Sequence, residues 1–461
     1  MSWINRESNN ENSGGEKKHP FARWMSWLFL VASLLLLFYA YYRAEVTHQG
    51  AGVEKYFKYY LVSLAGVFFW GITLRLRENI RANIVTMAIS LVVGLYMIEG
   101  GLTFFRPYHS NATATATAAG VEYDQRTKLE VIEDLIAEGI DAVPAARPNN
   151  KLILDKRLLP LGGISKKTTV GKNESGRYSI YPSDRYGFNN PDSEWDAKEV
   201  KWLLIGDSFT EGSTVQPGED IAGQLRVITQ KSAINLGWSG NGPLTELAAL
   251  VEYAKAIRSK RVVLWLYYEE NDLTRDLTRE KAVSLLMKYM ENGFSQNLIS
   301  RQNEIDDMFG EHIEGMKAAY KTQWMRLIEV RRAIDFDNKI AVDVDVDVDD
   351  PLFAKILTNA KARVESWRGM LYFIYLPDYS RYNNKAVFSS HDRFMKKSEV
   401  LDLVKGLDIP VIDIHKEVFV NHPDSLSLFP LRKRGHYNAK GYAEVAKAIV
   451  RGVKNHEQSI K

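Results

Sequence analysis

The chain has 461 residues, a length that on average corresponds to about three domains. Its 45% hydrophobic and 25% charged residues are typical of a folded protein and exclude collagen, a coiled coil and wholesale disorder. Because 60 Lys and Arg nearly balance 57 Asp and Glu, the net charge of +3 does not indicate nucleic-acid binding. The sequence has no cysteine, which excludes disulfides, iron–sulfur clusters and thiol catalysis.

Residues 21–105 contain three apolar stretches that predict three transmembrane helices. The uncharged run from Trp24 to Tyr42 is long enough to cross a bilayer core, and two further apolar stretches cover 59–74 and 82–105. Glu99 is the one acid in these stretches. We interpret it as an acid near the membrane interface, capped by polar groups, with an intramembrane proton or substrate group as the alternative.

Basic residues near these stretches predict the orientation. Lys17, Lys18 and Arg23 precede the first stretch, and Arg75, Arg77 and Arg81 precede the third. The positive-inside rule therefore places the N-terminus in the cytoplasm and, with three crossings, everything after about residue 106 outside it. Residues 1–20 are polar and predict a disordered cytoplasmic tail. The lipid bilayer is thus the first predicted partner.

The remainder divides into three predicted segments: a flexible linker at 106–125, an irregular extension at 126–199 and an α/β domain at 200–455. In the α/β domain, short apolar runs alternate with helical patterns, which is typical of βαβ units and a mostly parallel sheet. The predicted strands are 202–205, 233–236, 262–268, 370–376 and 410–414. The predicted helices are 126–138, 221–229, 244–256, 399–405 and 441–453.

A long connection separates the third and fourth strands and predicts a helical insertion at about 278–368. The acidic run from Asp343 to Asp350 invites a calcium interpretation. An EF-hand loop, however, needs Gly and Glu where this chain has Val348 and Ala354, so a solvated acidic loop or edge strand is favoured. The histidines lack partners at ligand spacing, and we predict neither a metal nor a cofactor.

Four residues next to strand ends, or before the last helix, form a set suited to acyl transfer. Ser208 follows the first strand, within the sequence WLLIGDSFTEG. Gly240 lies in the glycine-rich turn after the second strand, and Asn271 follows the third. His436 precedes the last helix and could act as a general base. Taken by itself, a serine after such a glycine turn is more often a helix N-cap than a nucleophile.

The order GDSF, SGNG, ND and GHYN resembles the SGNH (GDSL-like) hydrolase and acyltransferase superfamily over about residues 183–455. The stretch from Ser183 to Asp196 is also similar to membrane-anchored bacterial members associated with surface-polysaccharide assembly. The resemblance implies a flavodoxin-like three-layer domain. It also implies Ser208 as nucleophile, His436 as base, and an oxyanion hole made by the N–H groups of Ser208 and Gly240 with the Asn271 side chain.

The sequence departs from the family pattern before the histidine. The family usually has an Asp two or three residues earlier, where this chain has Arg434 and Lys433. Asp424 or an acid from the insertion could substitute, a Ser-His pair could suffice, or the protein could have lost the reaction. The cations Arg432, Lys433 and Arg434 could bind an anionic glycan, or could form a solvated basic loop.

These observations predict a membrane-anchored serine esterase or O-acyltransferase that acts on acyl esters, acetyl in particular, of a cell-surface or periplasmic glycan. The predicted location is the bacterial inner membrane, with the C-terminal domain periplasmic or extracellular. A membrane polysaccharide-assembly complex is a further expected partner, and nucleic acid is not. The alternative is an inactive SGNH-fold protein that binds glycans or takes part in polysaccharide assembly.

Overall fold

The computed structural model describes residues 20–47, 53–105, 107–147, 153, 157–334, 351–383, 396–433 and 435–460. Most of the predicted N-terminal tail, the acidic run 343–350 and Arg434 lie outside these ranges. The chain forms two compact units. The first comprises Met1–Arg106 and Lys321–Ala341, and the second comprises Pro107–Tyr320 and Val342–Lys461.

The first unit contains the apolar helices Pro20–Tyr41, Val53–Thr73 and Glu78–Phe105. Within the described residues, two segments are long and apolar enough to cross a membrane, Pro20–Val46 and Glu78–Phe105. The prediction of three spanning helices is therefore wrong. The middle helix has Lys58 in its first turns, and its uncharged part, from Tyr59 onward, covers only about 22 Å at 1.5 Å per residue, against a hydrocarbon core of about 30 Å.

Glu99 is buried within the first unit, where it caps a short helix from the insertion. Its carboxylate accepts hydrogen bonds from the backbone N–H groups of Glu329 and Val330, at 3.1 and 2.9 Å. These residues begin the helix Ile328–Ala333, whose first N–H groups lack partners within the helix. The interpretation of Glu99 as a capped acid agrees with these contacts.

The second unit begins with helix Pro107–Ala118, where we expected a flexible linker. A segment of alanine and alternating threonine can form a helix when its C-terminal carbonyls are capped. Here the N–H of Val121 donates to the carbonyl of Ala116 and provides such a cap. Helix Lys128–Ala137 follows, with Thr127 and Glu130 in a capping box. A small sheet then comprises β1 (Ala142–Pro144), β2 (Thr168–Val170) and β3 (Ile180–Pro182), with β2 in the middle.

A parallel sheet of five strands forms the centre of the second unit, as predicted. Its strands are β4 (Val200–Gly206), β5 (Ala233–Asn235), β6 (Lys260–Tyr268), β7 (Met370–Leu376) and β8 (Val411–Asp413). The spatial order is β5-β4-β6-β7-β8, and every neighbouring pair is parallel. This is the doubly wound order 2-1-3-4-5, in which ligands bind beyond the carboxyl ends of the strands.

Helices cover both faces of this sheet and give three layers. Alternate strand residues belong to separate cores, so that Leu203 and Trp265 face one way while Leu204 and Leu264 face the other. The first core includes helices Pro243–Tyr253, Gln302–Lys321, Pro351–Ser366 and Lys397–Gly406. The second includes Ile221–Thr229 and the last helix, Ala439–Ser459.

The described part of the connection between β6 and β7 is mostly helical, as predicted. Its other α-helices are short, and they are Leu277–Lys281, Ser284–Met287 and Ile328–Ala333. Part of the connection belongs to the first unit, from Lys321 onward.

Candidate active site

The site lies at the carboxyl ends of β4 and β6, where the order of the strands reverses. Strand β4 ends at Gly206, and the Asp207 carboxylate accepts the N–H of Phe209 at 2.9 Å. This contact caps the short helix Ser208–Glu211, and Gly212 ends that helix with a left-handed φ of 70°. Ser208 is thus held on a tight strand-to-helix turn, and it keeps part of its surface exposed.

Ser208 and His436 are hydrogen-bonded, as the predicted pairing of nucleophile and base requires. The Ser208 Oγ lies 2.7 Å from the Nε2 of His436. The imidazole is largely buried and packs against the Phe209 ring, with ring centroids 4.6 Å apart. The GHYN motif explains this placement: Tyr437 is buried, and the Asn438 side chain caps the last helix through the N–H of Gly441.

Glu174 supplies the carboxylate that the sequence lacks immediately before the histidine. Its Oε1 lies 3.0 Å from the Nδ1 of His436, and its Oε2 accepts the backbone N–H of the same residue at 2.8 Å. Asp424 is not the third member, because its carboxylate forms an exposed ion pair with Arg432. Sequence reasoning missed Glu174, which lies in the irregular extension 262 positions earlier.

The electrostatics of Glu174 determine the tautomer of His436. Burial by itself raises the pKa of Glu174, but the hydrogen bonds and charge of His436 outweigh it and leave that pKa below its usual value. An ionised carboxylate can only accept hydrogen bonds. The Nδ1 of His436 therefore carries the proton, and Nε2 is left as the acceptor for the Ser208 hydroxyl.

Two backbone N–H groups, those of Ser208 and Gly240, are available to an oxyanion. The described part of the chain gives no acceptor to the N–H of Ser208 or to that of Gly240. Gly240 has a φ of +79°, a conformation that other residues rarely adopt. Its turn is fixed to the nucleophile turn, because the Asn241 amide donates to the carbonyl of Gly206 and the Ser239 N–H donates to Glu211.

Asn271 lies on the same side of the site. Its Nδ2 donates to Asp276 at 2.6 Å and lies 3.4 Å from an Asp207 oxygen that is also 3.4 Å from the Ser208 Oγ. The reverse amide orientation would place the Asn271 oxygen against the Asp276 carboxylate. One N–H of Asn271 is thus strongly bound, and the second points toward the side of Asp207 and Ser208.

Several carboxyls near Asn271 are buried, which raises the pKa of each: Asp207, Glu246, Asp272 and Glu280. Burial disfavours the charged form of these groups. Within the described residues, no group of three or more histidine and acidic side chains could hold a metal ion.

The sequence Phe188-Asn189-Asn190, within the lead-in segment from Ser183 to Asp196, supports the nucleophile turn rather than the chemistry. The Asn189 amide donates to the carbonyl of Glu211. The Asn190 side chain exchanges hydrogen bonds with the backbone of Asn235 in β5, and the Asn235 amide reaches the carbonyl of Thr210. These contacts connect the extension to the turn that carries Ser208.

The predicted cationic cluster is only partly described. Arg432 is paired with Asp424, and the Lys433 ammonium donates to the hydroxyl of Thr115. Arg434 lies outside the described residues.

A cleft of about 950 Å³ lies beside the Glu174 loop. Its walls are formed by 121–126, 175–177, 214–216, Glu219 and 438–440, and neither Ser208 nor His436 lines it. The chemistry therefore lies outside this cleft.

No family model and no curated protein matches the chain. Similar solved structures include a protein described as lipolytic and of the G-D-S-L family from Desulfitobacterium hafniense, at 14% identity and a TM-score of 0.29, covering 55% of this chain and 99% of that one. Another is a lipase/acylhydrolase from Enterococcus faecalis, at 16% identity and a TM-score of 0.30, covering 56% and 96%.

A third is an acetylxylan esterase from Geobacillus stearothermophilus, at 15% identity and a TM-score of 0.28, covering 55% and 94%. Similarities this low carry no argument about activity. The family named by the first of these structures is the one that the motif order of the chain resembles.

Proposed function

We propose that the chain is a serine esterase or O-acyltransferase that acts on acyl esters, acetyl in particular, of a cell-surface glycan. The observation that carries the proposal is the continuous set of hydrogen bonds from Ser208 through His436 to Glu174. A serine nucleophile needs an adjacent base, and the base needs a third group that orients it.

The reaction starts with attack of the Ser208 Oγ on the ester carbonyl, while Nε2 of His436 takes the hydroxyl proton. Glu174 holds the imidazole in the Nδ1–H tautomer and stabilises the imidazolium that forms. The negative charge on the carbonyl oxygen is stabilised by the N–H groups of Ser208 and Gly240 and by the Asn271 amide. The ester C–O bond then breaks, His436 gives its proton to the leaving alkoxide oxygen, and the acyl group stays on Ser208.

The second half of the reaction moves the acyl group to an acceptor. Nε2 of His436 removes a proton from that acceptor, which attacks the ester on Ser208. As the bond between the acyl carbon and the Ser208 Oγ breaks, His436 returns the proton to that oxygen and the free enzyme is restored. Water as acceptor makes the protein an esterase, and a glycan hydroxyl makes it a transferase.

Membrane attachment supports the choice of a cell-surface substrate. The two candidate spans, Pro20–Val46 and Glu78–Phe105, each have basic residues at their N-terminal ends. Two crossings place both ends of the chain on the same side of the membrane and the two basic ends on opposite sides, so the positive-inside rule does not by itself assign a side to the C-terminal domain. An alkaline phosphatase fused after residue 110 assigns that side directly, and the surface-glycan substrate requires this fusion to be active. An inactive fusion would contradict the surface-glycan substrate.

A serine-reactive fluorophosphonate tests the nucleophile directly. The full-length chain in detergent should be labelled at Ser208, as located by mass spectrometry. Ser208→Ala and His436→Ala should each abolish labelling and most hydrolysis of an aryl acetate, and the double variant should lose no more than either single variant. The control Ser366→Ala, on an outer helix, should react like the wild type.

The alternative function is glycan binding or assembly without catalysis. The absence of an Asp before His436 favoured this non-catalytic alternative. The contact between Glu174 and His436 weakens it, because it supplies the carboxylate that was missing. Equal activity in the wild type and in Ser208→Ala, on both an aryl acetate and an acetylated glycan, would leave this alternative standing.

A further inference from the structure

Arg147 lies beside the candidate oxyanion hole with most of its hydrogen-bonding capacity unused. A Cβ placed on Gly240 would lie 3.9 Å from the Nε of Arg147. The guanidinium stacks over the Trp238 ring, 4.4 Å from the ring centroid. Its Nη2 donates to the Asn241 side-chain oxygen, the one hydrogen bond that the described part of the chain gives this group. Its Nε is buried and has no acceptor among the described residues.

The arginine also lacks a counter-ion among the described residues. The nearby carboxylates are engaged elsewhere: Glu211 accepts from Ser239, and Glu280 accepts from the N–H groups of Gly242 and Leu244. Asp276 binds Asn271 and two other arginines. Burial, followed by the charge of Arg279, lowers the pKa of Arg147 to about 10. A cation that is largely withdrawn from water without a counter-ion is costly, which is why such groups are normally paired with an anion.

We propose that Arg147 binds a carboxylate of the substrate, so that the enzyme selects acyl esters on acidic sugars. A guanidinium presents a planar set of donors that matches a carboxylate, and stacking on Trp238 fixes its plane. The contact with Asn241 places this donor set next to Gly240, where the ester carbonyl is expected. The proposal rests on the esterase or transferase function and names its substrate class.

Arg147 is better suited to bind a substrate carboxylate than the predicted cationic cluster at 432–434. Arg432 is exposed and already paired with Asp424, and Lys433 is exposed to water. Exposed charges contribute little to binding, whereas a partly buried arginine with free donors gains strongly from a matching anion.

The test compares two small esters that differ only at C6: a mono-O-acetylated methyl glucuronoside, which carries a carboxylate there, and the matching methyl glucoside, which carries a hydroxymethyl group. Hydrolysis is measured with the full-length protein in detergent, for wild type, Arg147→Gln and Arg147→Lys. The control is Arg261→Gln, which removes an exposed arginine near the opposite end of β6, paired with Glu199.

We expect the wild type to have a lower KM for the uronoside, and Arg147→Gln to raise that KM about 10- to 100-fold with little change in kcat, as for loss of a charge-assisted hydrogen bond. The same variant should leave the glucoside unaffected. Arg147→Lys should retain part of the preference for the uronoside, and the control Arg261→Gln should retain all of it. Added salt should weaken the preference.

Two outcomes would overturn the assignment. Equal KM values for both esters in the wild type would show that no carboxylate is recognised. An equal loss on both esters in Arg147→Gln would show that the arginine only supports the turn at 238–242.

A wild type that hydrolyses neither ester and is not labelled at Ser208 would contradict the proposed function instead. In that case, calorimetry with methyl glucuronoside decides the inference: binding by the wild type that is lost in Arg147→Gln supports it, and no binding overturns it.

Discussion

The Glu174 carboxylate contacts His436 at two points, accepting the backbone N–H at 2.8 Å and lying 3.0 Å from the imidazole Nδ1. The two contacts fix both the position of the loop and the orientation of the ring. No acidic residue lies immediately before His436 in the sequence, so the distant Glu174 provides the negative charge at its Nδ1. The side chain of Glu174 is mostly buried, with 23% of its surface exposed.

Replacing Glu174 tests whether this contact is needed for catalysis. Glu174→Gln can donate a hydrogen bond to Nδ1 and thus favours the wrong tautomer of His436. We expect kcat for an aryl acetate to fall by about 10³- to 10⁴-fold with little change in KM, as in other triads. Asp424→Asn is the matched control and should leave kcat unchanged. A large loss in Asp424→Asn and none in Glu174→Gln would exclude Glu174 as the third member.

Gly435 is expected to be required because Glu174 approaches it closely. A Cβ at this position would lie 2.6 Å from the Oε2 of Glu174, so Gly435→Ala must displace the carboxylate. We expect kcat to fall, by less than in Glu174→Gln. Glu174→Asp shortens the acid and should make the Gly435→Ala change less harmful, which a double-mutant cycle on kcat measures. Strict additivity of the two changes would argue against this steric coupling.

Asn271→Ala removes one oxyanion donor and leaves the N–H groups of Ser208 and Gly240 in place. We expect a loss of about 10²- to 10³-fold in kcat, since this is typical of a single donor. The control Asn359→Ala changes an outer helix and should have no effect. Fluorophosphonate labelling of Asn271→Ala should remain detectable, because Ser208 and His436 are still paired. A variant as active as the wild type would remove Asn271 from the oxyanion hole.

The sequence was most informative where function depends on residues next to strand ends. Such residues meet at one edge of a parallel sheet, so Ser208, Gly240 and Asn271 could be placed together from the predicted strands alone. Glu174 and Arg147 were missed because both lie in the irregular extension, where no periodicity predicts how the chain folds back. Gly435, immediately before the histidine, was the one local sign that another group approaches there.

The membrane region shows a different limit of sequence analysis. The absence of charge from Tyr59 to Leu74 was read as a span, but a span also needs sufficient length. The charges that precede Tyr59 shorten the apolar part of helix Val53–Thr73. The sequence predicted that Glu99 would contact polar groups. It did not identify them as the N–H groups of Glu329 and Val330, because those residues lie 230 and 231 positions away.

Asp184 should make the stability of the fold depend on pH. This residue of the lead-in segment is fully buried, and burial raises its pKa to about 6 in spite of hydrogen bonds from Asn190, Trp195 and the backbone N–H groups of Phe188 and Tyr186. In the unfolded chain its pKa is about 3.9. Between these values the folded state binds more protons than the unfolded state, so the contribution of Asp184 to stability falls as pH rises.

The difference between the two pKa values corresponds to about 3 kcal/mol in the free energy of unfolding. Asp184→Asn cannot titrate, so its deficit relative to the wild type should be largest near pH 4 and should shrink by about that amount toward pH 7. Denaturant unfolding of both full-length proteins in the same detergent, followed by tryptophan fluorescence, measures this difference at each pH. The membrane helices and all other titrating groups are common to both proteins and cancel in the comparison. A deficit that stays constant from pH 4 to pH 7 would show that Asp184 is ionised throughout, and that its four hydrogen bonds outweigh its burial.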